Sequence, residues 1–266
     1  MVPVSALISM AAGALVGIAA PILLGWWLVK KYQVKTKPIL VGAGVFVLFA
    51  LVLETLVHQV VLKGPSGASI TGNIWYFALY GGCMAALFEE TGRFLAMKFV
   101  LKKETGTALT GVSYGLGHGG AEMILLFGLT MVSNLVLSGL INSGQADLIL
   151  AATPEANHAQ VQAQFTQLEA LGAGSVLLGL WERISALMLQ VSLSIIVWTA
   201  VRRGGKWLWL FPAAFFLHFL VDAVTVVLAK SAGMVAVEII VFALAIAVGA
   251  IAWRVGSDFQ NVPNQT

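Results

Sequence analysis

Three short stretches of this chain gather side chains that can move protons or bind metals. They read Phe88, Glu89, Glu90, Thr91, Gly92, Arg93; then Gly117, His118, Gly119, Gly120, Ala121, Glu122; then His218, Phe219, Leu220, Val221, Asp222. Each contains a pair spaced i,i+4, namely Glu89 with Arg93, His118 with Glu122 and His218 with Asp222, so on a helix both members project from one face. Two histidines plus carboxylates suit zinc, which in hydrolytic sites usually takes three protein ligands and leaves one position for water. His118, Glu122, His218 and Asp222 are therefore the candidate metal ligands. A further carboxylate beside that water, Glu89 or Glu90, can serve as general base. Arg93, one turn along, can orient the base or hold a carbonyl oxygen as charge develops on it. The implied reaction is amide hydrolysis.

The elements that position these residues must lie in lipid. The chain is 59% hydrophobic and 10% charged, with a mean hydropathy of +0.92, values outside the soluble range. Apolar runs long enough to cross a hydrocarbon core of about 30 Å recur through it. The expected spans are Val4 to Val29, Pro38 to Leu62, Ile74 to Val100, Thr107 to about Leu129, Ser175 to Val201, Trp207 to Ala229 and Met234 to Trp253. The fold class is thus all-α, a polytopic membrane helix bundle of about seven transmembrane helices. One transmembrane domain spans residues 1–266, and short connections leave no room for a soluble catalytic domain. The first run lacks the flanks of a cleavable signal peptide and is read as a span.

With the amino terminus outside, the inner side collects Lys30, Lys31, Lys35, Lys37, Lys98, Lys102, Lys103, Arg202, Arg203, Lys206 and Arg254, against Lys63 and Lys230 outside. That bias sets the orientation and puts the carboxyl terminus in the cytoplasm. It also accounts for the net charge of +3 as topology, with no nucleic-acid partner. An integral protein of a prokaryotic cytoplasmic (plasma) membrane is the expected setting. Counted from the basic flanks, Glu89 lies 13 residues before Lys102, His118 15 after Lys103 and His218 12 after Lys206. At the helical rise these are roughly 18 to 23 Å from the flank, close to one plane.

A charge at that depth costs about 2.5 to 3.5 kcal/mol, so the groups must face one another or water. Ion pairs that merely hold a bundle together explain any one pair. Three coplanar pairs, with four carboxylates against one arginine, leave buried negative charge that calls for a cation or protons. A proton- or cation-coupled transporter is the competing function, but its usual inverted repeat is not visible in the sequence.

Other features carry less. Glu54 and His58 read as a polar pair toward the outer half, and Glu182 with Arg183 as a structural or gating ion network. Gly111, Val112, Ser113, Tyr114, Gly115 matches a nucleophile-elbow pattern but lies inside an apolar helix, where that motif cannot work. Gly115, Gly117, Gly119 and Gly120 around His118 exceed what packing requires and suggest room for a substrate strand or a metal. Pro212, six residues before His218, is expected to bend its span. An outer segment at about 141–172 should hold an amphipathic helix bearing Val161, Phe165, Leu168 and Leu171, started by Thr153 as N-cap and Pro154, with His158 solvated.

At these residues the sequence resembles the YhfC-type intramembrane metalloproteases, a branch related to the CAAX prenyl protease and bacteriocin-immunity (ABI, CPBP) superfamily. The resemblance covers nearly the whole chain. That superfamily carries E-E-x-x-x-R, F-x-x-x-H and H-x-x-x-N or D on successive core helices; here they read Glu89 to Arg93, Tyr114 to His118 and His218 to Asp222. Anchoring on Arg93 puts Glu89 at the second glutamate of the motif and Phe88 at the first, so both glutamates stay candidates for the base. The resemblance implies a membrane protease acting on a membrane-embedded or lipid-anchored peptide or protein, with a site opening to the cytoplasmic half.

Overall fold

The computed structural model describes residues 1–104 and 107–260, and among these every regular element is helical. Six helices are long and apolar enough to cross a membrane: Val4–Tyr32, Thr36–Lys63, Ala108–Asn142, Ala173–Arg203, Gly205–Ser231 and Met234–Ser257. The other expected span is also a helix, Ile74–Leu95 continued by π-helical Ala96–Val100. Its glutamates, arginine and tyrosines keep it less apolar than the six. The fourth expected span runs on past Leu129 to Asn142, because residues 123–142 contain neither proline nor charge to stop it.

Three π-helical stretches interrupt the long helices: Phe46–Glu54, Ala96–Val100 and Met123–Gly128. Each begins or ends within three residues of an ionisable side chain, Glu54, Arg93 or Glu122. Such bulges cost regular hydrogen bonding and concentrate at functional sites.

Contacts divide the chain into two compact units. The first comprises Met1–Ala20 and Met123–Arg183. Its core gathers Val2, Ala6, Met10, Phe127, Leu168 and Val176. Phe127 sits in a glycine notch, since a Cβ on Gly17 would lie 3.0 Å from its ring. Asn142 fixes the start of the chain, accepting from the Val2 amide at 2.7 Å and donating to the Val2 carbonyl at 3.0 Å.

Within this unit the outer segment differs in detail from expectation. Thr153 ends the short helix Ala146–Ala152, its hydroxyl donating to the Ile149 carbonyl, and does not cap the next helix. That helix, His158–Glu169, starts after a 3-10 turn at Glu155–Asn157, with Asn157 as N-cap. His158 is tied at 2.8 Å to the Thr153 carbonyl and is not simply solvated. Arg183 and Glu182 bond each other.

The second unit, Pro21–Glu122 with Ile184 onward, contains all seven candidate site residues. Its spine is the glycine-rich helix Ala108–Glu122, pressed between two neighbours. On one side a Cβ on Gly117 would fall 1.9 Å from the Ile39 carbonyl oxygen, and one on Gly42 would fall 2.1 Å from that of Tyr114. On the other, a Cβ on Gly115 would fall 2.5 Å from the Val191 Cα, and one on Gly119 would fall 2.9 Å from the Gln190 Cβ. Gly120 meets Pro21 at 3.0 Å. The glycine cluster therefore leaves no free space; backbone fills it at Gly115 and Gly117, and the side chains of Gln190, Leu187 and Pro21 at Gly119 and Gly120. Pro212 also departs from expectation. The helix begins at Leu210, so Pro212 falls in its first turn, where the missing N–H has no partner to lose, and His218 sits on an unbroken helix.

At the basic end, Lys35 and Lys37 reach the buried Glu104 at 2.8 and 3.5 Å. The hydrogen bond from Lys35 and the two ammonium charges hold its carboxyl below the ordinary range. A depressed folded-state value stabilises the fold above the ordinary carboxylate range, and that contribution is lost as pH falls through the folded value. Glu104→Gln should therefore lower the melting temperature in detergent at pH 7. The gap to the parent should close in acid, which a pH series of melting curves checks. In the same assay Gly117→Ala should be strongly destabilised, whereas Gly44→Ala, whose Cβ would meet nothing within 4 Å, should be neutral or slightly stabilised.

Candidate active site

Four helices converge in the second unit. The Ile74–Leu95 helix packs along Leu210–Ser231, with a Cβ on Gly82 falling 2.9 Å from the Phe219 carbonyl. Glycines at 111, 115 and 119 bring the Ala108–Glu122 helix against Ala173–Arg203. These approaches set three faces carrying Glu89, Glu90 and Arg93, then His118 and Glu122, then His218 and Asp222, around a fourth carrying Gln190.

The contacts run between helices more than along them. Arg93 finds the carboxylate a buried guanidinium requires in Glu90 at i,i+3, Nη1 to Oε1 at 2.7 Å, while Glu89 at i,i+4 bonds His118 and Gln190. Its Nη2 donates to Gln190 Oε1. Glu90 Oε1 also meets His218 Nδ1 at 2.8 Å, and His218 Nε2 faces Asp222 at 3.4 Å. Glu89 Oε2 meets His118 Nε2 at 2.9 Å and accepts from Gln190 Nε2 at 2.8 Å. Gln190 Nε2 also donates to Glu122 at 3.0 Å. The seven candidates thus form one network with Gln190 at its hub.

Sequence reasoning weighed ionisable residues and passed over Gln190. A signal existed, for it is the single amide in the apolar run from Ser175 to Val201. A primary amide offers both an acceptor and two donors, the combination needed to bridge an arginine to two carboxylates. Ring contacts hold His118 from two sides: Phe46 edge-on at 5.3 Å and Tyr114 stacked at 6.1 Å. Outside this network, His58 bonds Glu54 at 3.1 Å and the Tyr80 hydroxyl at 2.8 Å. Glu54 lies within electrostatic reach of Glu89, His218 and Asp222, so this pair borders the site.

Four buried polar atoms here have no protein partner: Glu90 Oε2, Arg93 Nε, Tyr114 Oη and His118 Nδ1. Open acceptors and donors at one place are what a water or a peptide group can satisfy. The donor types also match zinc. Yet among the described residues no three His, Cys, Asp or Glu side chains form a group that could hold a metal. Hydrogen bonds turn His118 onto Glu89 and His218 onto Glu90, so His118, Glu122, His218 and Asp222 do not form a ligand set as arranged.

A helical membrane protein with buried glutamates and histidines joined across its core is the class this geometry defines. The chain belongs to the YhfC intramembrane metalloprotease family, whose pattern it matches over residues 16–247. It is 34% identical over 247 residues to the uncharacterized membrane protein YhfC of Bacillus subtilis (strain 168), covering 92% of this chain and 94% of that one. No solved structure matches the chain significantly. The family's name implies a metal-dependent membrane protease.

Removing the hub should unfasten the network. Gln190→Leu keeps the bulk but leaves the buried Arg93 Nη2 and Glu89 Oε2 each one hydrogen bond short. Each buried group so stranded costs about 1 to 3 kcal/mol. Unfolding in a graded detergent series should show a loss of that order or more, and an unchanged midpoint would mean that Gln190 is a bystander.

Proposed function

We propose that this protein hydrolyses a peptide bond of a membrane-embedded or lipid-anchored substrate, with Glu89 as the base that activates water. The observation that carries the reading is the division of labour between the two glutamates. Glu90 is fully buried and held by Arg93 and His218, so its charge is already neutralised. Both glutamates bond through a single oxygen, but the Glu89 side chain is 10% exposed and that of Glu90 0%, so Oε1 of Glu89 is the carboxylate oxygen water can reach.

In this mechanism Glu89 takes a proton from water as the oxygen attacks the carbonyl carbon. His118, bonded to Glu89 through Nε2, relays that proton to the departing amine, which returns Glu89 to its carboxylate form. His218 Nε2, 3.4 Å from Asp222, turns from that carboxylate to donate to the carbonyl oxygen as charge develops there, while Glu90 holds Nδ1. Arg93 and Gln190 keep the two carboxylates apart and oriented. Zinc remains the metal best matched to these donors, with His118, Glu122, His218 and Asp222 the residues it would draw on. Because they do not converge as arranged, no step above passes through it.

Glu89→Gln nearly conserves volume and should lower cleavage by about two to four orders of magnitude while leaving the fold intact. Glu90→Gln should act first on stability, since it strands Arg93. Cleavage of a tagged membrane substrate, measured beside melting temperature, separates the two. Wild-type cleavage by Glu89→Gln would remove it as the base, and ion-dependent flux in liposomes without any cleaved product would point to a transporter.

A further inference from the structure

The site is not evenly sealed. Side-chain exposure is 0% for Arg93 and Glu90, 0% for His118 and 10% for Glu89, and 3% for His218 against 34% for Asp222. On all three helices the change has one direction, away from the basic flanks. From Arg93 toward Lys98 and Lys102 the chain buries Ala96, Met97 and Leu101. From His218 toward Lys206 it buries Ala214 and Leu210, whereas beyond Val221 that helix buries nothing. Between Gln190 and Arg202 lie the fully buried Leu193, Ile196, Val197 and Trp198. A packed apolar layer thus separates the network from the basic end.

The other direction is polar and loose. Glu54 is 11% exposed and His58 31%, and the helix Thr55–Lys63 buries no residue. Tyr80, His58 and Glu54 form a hydrogen-bonded chain, and Glu54 lies within electrostatic reach of Glu89, His218 and Asp222. A carboxylate or imidazole one-third exposed at this depth would cost several kcal/mol against lipid, roughly 2.5 to 3.5 for a charged group. Exposure here therefore means contact with water. From Asp222 to Lys230 is eight residues, and from Glu54 to Lys63 nine, so that water column is only about 12 to 14 Å long.

We infer that the site opens on the face away from the basic flanks, through a polar mouth lined by Glu54, His58, Tyr80 and Asp222, and is closed toward the basic face. This reverses the cytoplasmic opening that the family resemblance implies. With the basic residues inside, the mouth faces the extracytoplasmic half. Resting on the hydrolytic reading above, the substrate class is membrane-anchored peptides whose scissile segment lies in the extracytoplasmic half of the bilayer.

The test needs no substrate, so it is independent of whether the site hydrolyses peptides. In a Cys83→Ala background, single cysteines replace His58 at the mouth and Thr225, three residues beyond Asp222 on the same helical face, with Lys63→Cys and Lys103→Cys as markers of the two faces. A membrane-impermeant maleimide is applied to intact cells and to inverted vesicles. His58→Cys and Thr225→Cys should label from the same side as Lys63→Cys and lose labelling on the other. Labelling from the Lys103 side, or from neither side while both markers react, would overturn the inference.

Discussion

A guanidinium that cannot shed its proton lies wholly buried among the helices, and the rest of the site follows from that constraint. Arg93 requires a carboxylate, and Glu90 supplies it at 2.7 Å. It requires a further acceptor, and Gln190 supplies it from another helix. Gln190 is then oriented so that its amide nitrogen faces Glu89 and Glu122, and Glu89 in turn holds His118. One fixed charge thereby sets the direction of two carboxylate–histidine pairs. In low dielectric such a network is stable only when nearly complete, which gives the bundle a single register for its polar helices.

Close backbone approach makes those bonds reachable. Side chains as short as glutamate and glutamine can bridge helices only if the helices nearly touch, and the glycines at 42, 115, 117 and 119 let them do so. The apolar layer on the basic side gives the network a dry floor. Toward the opposite end, packing loosens and polar side chains continue. At that boundary Glu89 is 10% exposed while Glu90 lies behind it at 0%, the order the proposed hydrolysis requires.

Most of the architecture was legible because lipid imposes a simple rule: apolar runs of about 20 residues become helices. The helices through Pro38, Ile74, Ser175 and Met234 appear where hydropathy places them. The fourth ran longer because no breaker ended it, and Pro212 falls in a first helical turn because a 3-10 turn carries the chain to a helix start at Leu210. The ionisable residues stood out against an apolar background. Their pairing did not, since i,i+4 spacing reports a shared face and says nothing of which partner an adjacent helix offers. Gln190 carries no charge, and the glycines around His118 suggest space or contact equally well until the neighbouring backbones are seen.

Arg93 welds the two carboxylate–histidine pairs into one unit, since Glu90 and Gln190 meet through it. A double-mutant cycle between Glu90→Gln and Gln190→Leu, read from reversible unfolding in detergent, tests this directly. Coupling through Arg93 predicts that the double variant departs from the sum of the single effects by about 0.5 to 3 kcal/mol. Additivity within about 0.3 kcal/mol would mean that the two halves of the site are independent.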